Sequence, residues 1–170
     1  MPDVSISIMG NPLLMEKSIA IKQFNESLYL LVQDLKDTML KNHGVGISAP
    51  QIGNNQRVIV FGFKKNKRYP NENPVPLTTL INPEYKVLSE NMVSGWEGCL
   101  SVPGMRGLVP RFEKIKYRGY DEDANLIERV VSGFHARLVQ HEVDHLNGIL
   151  FPSKIQNLKN FGFEKSLPFY

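Results

Sequence analysis

Residues 132–147 constrain the fold more than any other part of this chain, because their pattern predicts a helix with histidines on its apolar face. Four residues are spaced four, three and four positions apart, which places them on one helical face: Phe134, Leu138, His141 and His145. Gly148 follows as a C-terminal stop. Burying two imidazoles against an apolar stripe without partners is unfavourable. The fold must therefore supply hydrogen-bonding or metal partners to this helix.

The two histidines have the spacing of a helical metal site. Residues four apart on an α-helix lie about 40° apart around its axis, so both imidazoles can reach one ion. Glu142 projects between His141 and the neighbouring face, where its carboxylate can contact water on the metal without binding the metal itself. Zinc or a similar ion lowers the pKa of such a water to about 7. This segment therefore predicts a metal centre that activates water, with Glu142 as its acid or base.

A catalytic site of this type needs three protein ligands and one open position, and the sequence offers candidates for the third ligand. The metzincin pattern requires a ligand six residues after His145, but Phe151 stands there, so a metzincin is excluded. Glu164 lies near the spacing of thermolysin-like enzymes. Cys99 is the only cysteine, and a coordinated thiol is deprotonated outright. Gly98 beside it lets the backbone approach a metal closely. Spacing alone leaves Glu164 and Cys99 both open.

The remaining pattern predicts an α+β fold. Apolar residues at helical spacing predict a first helix over 24–39, with Gly44 placed to end it. Apolar and β-branched runs predict strands at 57–63, 77–82, 85–88, 114–120 and 126–131. Helices near both ends, without regular βαβ alternation, favour α+β. With 170 residues, 42% of them hydrophobic and 22% charged, we expect a single domain over residues 1–170.

Composition and charge exclude several classes of protein. A formal charge of +3 is too small to indicate nucleic-acid binding, and the basic run at 64–68 is interpreted as an exposed loop. No apolar run approaches the roughly 18 residues of a membrane helix, so no membrane association is expected. Residues 1–12 lack the pattern of a signal peptide, and the single cysteine suits a reducing compartment. We therefore expect a cytoplasmic location.

Three segments together resemble the signature motifs of the peptide deformylase family, in the family's order. Residues 44–51 look like its glycine-rich motif ending in glutamine, here Gln51. Residues 97–101, Glu-Gly-Cys-Leu-Ser, match its cysteine motif in full. Residues 140–145, Gln-His-Glu-Val-Asp-His, match its metal-binding helix. Ser48 departs from the pattern, because alanine is usual there, but the glutamine is retained.

The resemblance implies a fold and a role for each matched residue. It implies antiparallel sheets around a central C-terminal helix that carries the His-Glu-x-x-His motif. It implies one divalent ion, Fe²⁺ or Zn²⁺, held by Cys99, His141 and His145. It implies that Glu142 acts as acid and base, while the side chain of Gln51 and the backbone N–H of Leu100 stabilise an oxyanion. It implies a substrate wall that includes Val45, Gly46 and Gly98.

The same resemblance implies removal of the N-terminal formyl group from formylmethionyl nascent chains in the bacterial cytoplasm, with release of formate. Transient contact with the ribosome is left open, and no nucleic-acid partner is expected. Two other functions also remain. One is a metallopeptidase with Glu164 as third ligand, and the other is a metal- or peptide-binding module without turnover. The presence of both Glu142 and Gln51 argues against the binding module.

Overall fold

The computed structural model describes residues 4–167 as one α+β domain. Its helices are α1 (Glu26–Lys41) and α2 (Gly133–Leu146). Its strands are β1 (Gly46–Ser48), β2 (Val58–Phe63), β3 (Val75–Val87), β4 (Met92–Cys99), β5 (Val102–Phe112), β6 (Lys114–Tyr120), β7 (Leu126–Ser132) and β8 (Phe161–Phe163). One sheet has the order β1-β2-β3-β6-β7 and the other β4-β5-β8, with antiparallel pairing throughout both. Neither helix in this range is long and apolar enough to cross a membrane.

The two helices cover opposite faces of the five-stranded sheet. Successive side chains of a strand point to opposite faces, and β2 uses both. Val58 and Val60 pack in the cluster formed with α1, whereas Ile59 and Phe61 pack in the cluster formed with α2. All four side chains are fully buried, and each such burial contributes about 1.5–3 kcal/mol. The continuous apolar run of β2 is thus the pattern of a strand covered on both sides.

Helix α2 lies between the two sheets, as the resemblance implies. The side chain of Gln140 donates to the carbonyl of Phe112 in β5 at 2.9 Å and accepts from its N–H at 3.1 Å. Residues 136–146 are all buried, because the five-stranded sheet covers one side and the β4–β5 hairpin the other. The sequence prediction of this helix is confirmed. Its end at Gly148, which has φ 72°, is also confirmed.

Helix α1 confirms the predicted helix over most of residues 24–39 and continues to Lys41, but its C-terminal turn is built differently from the prediction. The side chain of Asn25 caps its first turn. Gly44 does not take the left-handed position that follows the helix, because His43 takes it, with φ 52°, after the last helical residue Lys41. The N–H of Gly44 then bonds the carbonyl of Met39 at 2.9 Å, closing the helix end. The helix therefore ends with His43 in the left-handed position, and Gly44, predicted for that position, lies one residue later.

Strands β2, β6 and β7 confirm their predictions, but residues 77–82 and 85–88 do not form separate strands. Both belong to β3, whose pairing with β6 shifts between Ile81 and Glu84. Asn82 has φ 51° at this irregularity, and its side chain bonds the backbone of Ile21 at 2.8 and 2.9 Å. Pro83 thus marks a bulge rather than a strand end.

Strands β4, β5 and β8 were not predicted. The first two contain several glycines and prolines, which depress strand propensity, and they form because they pair with each other along almost their whole length. Gly95 illustrates the packing reason, since a Cβ there would lie 2.8 Å from the guanidinium carbon of Arg137. Such glycines make room for a side chain from α2. Strand propensities cannot predict this, because they do not include contacts with distant residues.

The environment of His135, in the first turn of α2, makes the stability of the fold depend on pH. Its Nε2 lies 3.3 Å from the Tyr117 hydroxyl, which accepts from Arg129 at 3.2 Å, so the imidazole is held neutral as an acceptor. Burial and the Arg129 charge lower the pKa of His135 from 6.5 to about 4. The unfolded chain therefore binds more protons between these values, and stability falls as pH drops from 6.5 towards 4.

We expect His135 to account for about 1–2 kcal/mol of the unfolding free energy lost over this range, after allowance for its partial exposure. Denaturant unfolding of the parent and of His135→Gln at several pH values measures the difference. The variant should lose this part of the pH dependence, whereas identical slopes would contradict the assignment. Both proteins share every other titrating group, including Glu97, so the comparison isolates the imidazole.

Candidate active site

Cys99, His141 and His145 converge at the end of α2. Their ligand atoms all lie within 4.8 Å of one another, and all three residues are buried. Sγ of Cys99 is 3.2 Å from Nε2 of His145. Cys99 ends β4 and pairs with Val102, so it borders a two-residue hairpin that the structure directs at the helix.

This group fits a single metal ion. Ligand atoms at ordinary zinc distances in a tetrahedral site lie roughly 3.4–3.6 Å apart, within the observed spread. One thiolate and two imidazoles suit zinc and ferrous iron. Nδ1 of His141 lies 2.8 Å from the Glu97 carboxylate, which leaves its Nε2 for a metal. A carboxylate partner of this kind is the usual support of a metal-binding histidine.

Glu97 is the centre of a buried charge cluster that the sequence reasoning missed. Its carboxylate accepts from Arg111 at 2.8 and 2.9 Å and from Arg137 at 2.8 Å. Burial alone would raise the pKa of Glu97, but the hydrogen bonds from Arg111 and His141 outweigh it and hold the pKa well below its usual range. Arg111 also pairs with Asp144 of α2. The cluster keeps Glu97 ionised and His141 in one orientation.

A signal for part of this cluster was present in the sequence. Glu97 lies two residues before Cys99 on β4, so both side chains point to the same face of the strand. Arg137 lies four residues before His141 and shares its face of α2. No comparable signal identified Arg111, because β5 was not predicted and its residues reach α2 only through the tertiary fold.

Gln51 is held with its amide nitrogen towards Cys99. Its Oε1 accepts from the N–H of Ser48 at 2.9 Å and from the Ser48 hydroxyl at 3.1 Å. These two donors fix the amide orientation, so Nε2 donates to Sγ of Cys99 at 3.4 Å and to the Ser101 hydroxyl at 3.1 Å. Ser48 therefore adds a hydrogen bond that alanine, usual at this position in the family resembled above, would lack.

Glu142 is buried beside β1 and is not one of the three clustered ligands. Burial raises the pKa of its carboxyl to about 7. Its Oε2 has no hydrogen-bond partner among residues 4–167, which is unusual for a buried polar atom and typical of a site that binds water or substrate. Gly46 is the residue that makes room for it, because a Cβ there would lie 2.3 Å from Oε1.

Gly46→Ala is therefore expected to displace the Glu142 carboxylate and to lower kcat by about 10²-fold, since a 1 Å misplacement of a catalytic group can cost this much. Metal content should be unchanged, because the added methyl group does not reach the three ligands. Steady-state kinetics with metal analysis tests this. Gly162→Ala is the matched control, since its Cβ would meet only Leu167, at an ordinary 3.5 Å. Full activity in Gly46→Ala would contradict the packing argument.

A cleft with about 500 Å³ of empty space, open to solvent, leads to this group. Its lining contains the residues that the sequence analysis placed at the site, except for His145, together with Phe134 and Leu138 of the apolar stripe. β1 lies at the edge of its sheet, with β2 as its neighbour. Gly98 lies in the same wall, where a Cβ would lie 3.2 Å from Nε of Arg106. The space beside Gly98 therefore accommodates a side chain of the protein.

Glu164 and Phe151 take other positions. Oε1 of Glu164 lies 3.6 Å from the guanidinium of Arg106, and Glu164 is not part of the clustered ligand group. Phe151 is buried, and its ring stacks with that of His141 at 6.1 Å. Of the two candidates for the third ligand, Cys99 is the one that the fold brings to the histidines.

A thiol and two imidazoles that could hold one metal ion, with a buried carboxylate in the same cleft, fit the class of metal-dependent hydrolases. The particular family follows from comparison with known proteins. A sequence profile of polypeptide deformylase matches residues 4–161. Peptide deformylase 1 of Nitrosomonas europaea is 49% identical over 160 residues, which cover 94% of this chain and 91% of that protein. Peptide deformylase 2 of Ralstonia nicotianae is 48% identical, with 94% and 90% covered.

Solved structures agree with the sequence relatives. A class I type b peptide deformylase from Acinetobacter baumannii with Met-Ala-Ser bound is similar with a TM-score of 0.86 and 40% identity, covering 91% of this chain and all of that chain. The actinonin complex of a peptide deformylase from Synechococcus elongatus is similar with a TM-score of 0.82 and 29% identity, covering 94% and 82%. This chain belongs to the polypeptide deformylase family, and it is an enzyme.

Proposed function

We propose that this enzyme hydrolyses the N-terminal formyl group of formylmethionyl peptides, releasing formate and a free amino terminus. The observation that carries the proposal is that Glu142 and Gln51 line the same cleft as Cys99 and His141 of the clustered group, with an edge strand at its border. Family membership supports the same reaction. Nascent chains that begin with formylmethionine are the proposed natural substrates.

The proposed cofactor is one Fe²⁺ or Zn²⁺ ion held by Cys99, His141 and His145. Bound there, it would supply a Lewis acid that activates water for attack at neutral pH. The Glu97 carboxylate keeps the His141 ring oriented through Nδ1. This support comes from a buried carboxylate whose own charge is balanced by two arginines, so the imidazole has little freedom to rotate away.

Glu142 is the proposed proton carrier. Its carboxylate accepts the proton of the attacking water and then delivers it to the amine nitrogen that leaves. A carboxyl with a pKa near 7 can perform both transfers at neutral pH, and burial supplies this shift in Glu142. The unpartnered Oε2 is available for hydrogen bonding to water or to the amine.

Gln51 and Leu100 are the proposed oxyanion donors. Attack on the formyl carbon places negative charge on the former carbonyl oxygen, and neutral donors already in position stabilise it there. Nε2 of Gln51 is aimed at this region by the two hydrogen bonds from Ser48. Leu100 lies in the hairpin turn beside Cys99 and lines the cleft, so its backbone N–H is the proposed second donor.

Substrate binding is proposed along β1. An extended peptide can add to a sheet edge through backbone hydrogen bonds, and Val45 and Gly46 lie at such an edge in the cleft wall. Gly98 is proposed as a further part of the cleft wall, and Phe134 and Leu138 are the proposed lining of the methionine pocket. The Met-Ala-Ser tripeptide bound to the related Acinetobacter enzyme supports a peptide ligand. Because a formyl carbon carries only hydrogen, specificity must come from the methionine side chain and the peptide backbone.

Formate release from a formyl-Met peptide is the direct test, with the acetyl-Met peptide as control and metal analysis on the same sample. We expect formate from the formylated peptide alone and about one divalent ion per chain. Metal without formate, accompanied by internal cleavage of a longer peptide, would contradict the proposal in favour of a metallopeptidase. Absence of turnover by the metal-loaded enzyme on either peptide would leave only a binding function.

A further inference from the structure

A second groove adjoins the active-site cleft and is bordered by a basic loop, defined here as residues 64–68. The groove has about 1820 Å³ of empty space, open to solvent, and its lining includes the apolar residues Leu40, Phe63 and Leu77. Gly44 and Arg68 line both the groove and the cleft. A chain that leaves the cleft past these two residues therefore enters the groove.

The groove carries positive charge without a compensating carboxylate. Its lining includes Lys64, Lys65, Lys67 and Arg68, and no acidic residue of the described range is part of it. Glu72 is the one acidic residue between positions 64 and 77, and it lies outside the lining. The four cations are exposed, and none forms an ion pair within residues 4–167. Such a surface concentrates anionic groups at low salt.

The basic loop is held in place relative to the active site. The side chain of Asn66 donates to the carbonyl of His43 at 3.0 Å and accepts from the N–H of Arg68 at 2.8 Å. Tyr69, directly after the loop, packs its ring against Phe134 at 4.7 Å between centroids. These contacts tie the middle of the loop to the segment before β1 and the residue after the loop to α2. The charges are therefore presented in a defined position, which lowers the cost of using them.

The direction of a bound peptide brings its later residues to this loop. Glu142 lies against Gly46, and Gln51 follows β1 in the chain. We therefore place the formyl group at the end of the cleft beside Glu142 and Gln51, away from Gly44. A peptide paired antiparallel to β1 then runs back past Val45 and Gly44, which is the boundary with the groove. Residues after the methionine would meet the lysines there.

We infer that the basic loop selects formylated peptides that carry acidic residues after the methionine. The inference rests on the proposed function and names a specificity determinant for it. The contacts would form equally in the ground and transition states, because they lie away from the reacting carbon. They should therefore lower KM and leave kcat unchanged. The attraction is between exposed charges, so salt should weaken it.

The test compares formyl-Met peptides of equal length that carry glutamate, glutamine or lysine at successive positions after the methionine. At low salt we expect KM to be about fivefold lower for the best acidic peptide than for its glutamine counterpart, and the difference to vanish at high salt. The triple variant Lys64→Gln, Lys65→Gln, Lys67→Gln should lose this preference. The charge-matched control replaces Lys17, Lys22 and Lys114, which line neither the groove nor the cleft, and should retain it.

Formate release from the uncharged glutamine peptide tests the proposed function separately from the loop. Normal release from that peptide, with equal KM for all three charges, would overturn the loop's role and leave the function standing. An equal loss of preference in both triple variants would also overturn it, because net charge alone would then explain the effect. A kcat effect without a KM effect would place the acidic residues at the reaction centre and contradict the inference.

Discussion

Glu142→Gln is expected to lower kcat for formate release by about 10²–10⁴-fold while metal content stays at the parent level. Glutamine has nearly the size and shape of glutamate, so it fits the space that Gly46 leaves. It cannot accept a proton from water or deliver one to the leaving amine. Because Glu142 is not one of the clustered ligands, the metal site should be unaffected.

Kinetics and metal analysis on the same preparation decide this prediction. Glu142→Asp keeps a carboxylate but places it one methylene further from the reacting atoms. Its activity should therefore lie between that of the parent and that of the glutamine variant. Glu90→Gln, at an exposed position, is the control for removal of a carboxylate. Retention of more than a tenth of the activity by Glu142→Gln would rule out Glu142 as the essential proton carrier.

Cys99→Ala is expected to remove the metal and reduce formate release to background. The thiol is one of three donors, and replacing a mere supporting residue of a metal site already costs 10–100-fold in affinity, so loss of a ligand should cost about 100-fold or more. The substitution also removes the acceptor for the Gln51 amide and for the N–H of Ser101, both at 3.4 Å. Activity should therefore not recover fully even with excess metal.

Glu164→Gln is the matched comparison, because Glu164 was the competing third ligand. It contacts the guanidinium of Arg106 at 3.6 Å and is not part of the clustered ligand group, so the variant should keep both metal and activity. Titration with a metal chelator gives the affinity of each protein. Metal loss in Glu164→Gln with retention in Cys99→Ala would reverse the ligand assignment, and circular dichroism on both variants excludes unfolding as the cause of any loss.

The local sequence pattern was enough to predict those helices and strands whose own residues show a clear periodicity or apolar run. The spacing of Phe134, Leu138, His141 and His145 predicted α2 because helical periodicity depends on neighbours within two turns. The buried β2 was equally visible as an apolar run. The β4–β5 hairpin was not, because its stability comes from cross-strand pairing and from side chains of α2 that fill the space above glycines such as Gly95.

For the site, the sequence by itself determined the His141–Glu142–His145 arrangement, and the motif match pointed to Cys99 and Gln51. It left Glu164 open as a ligand and gave no role to Glu97. The tertiary structure decided these points, since it packs β4 and β5 against α2 and so brings Cys99 and Glu97 to the histidines. The physical reason is that helical spacing specifies distances over a few residues, whereas the approach of Gly46 to Glu142 and of Cys99 to His145 depends on how separate elements pack.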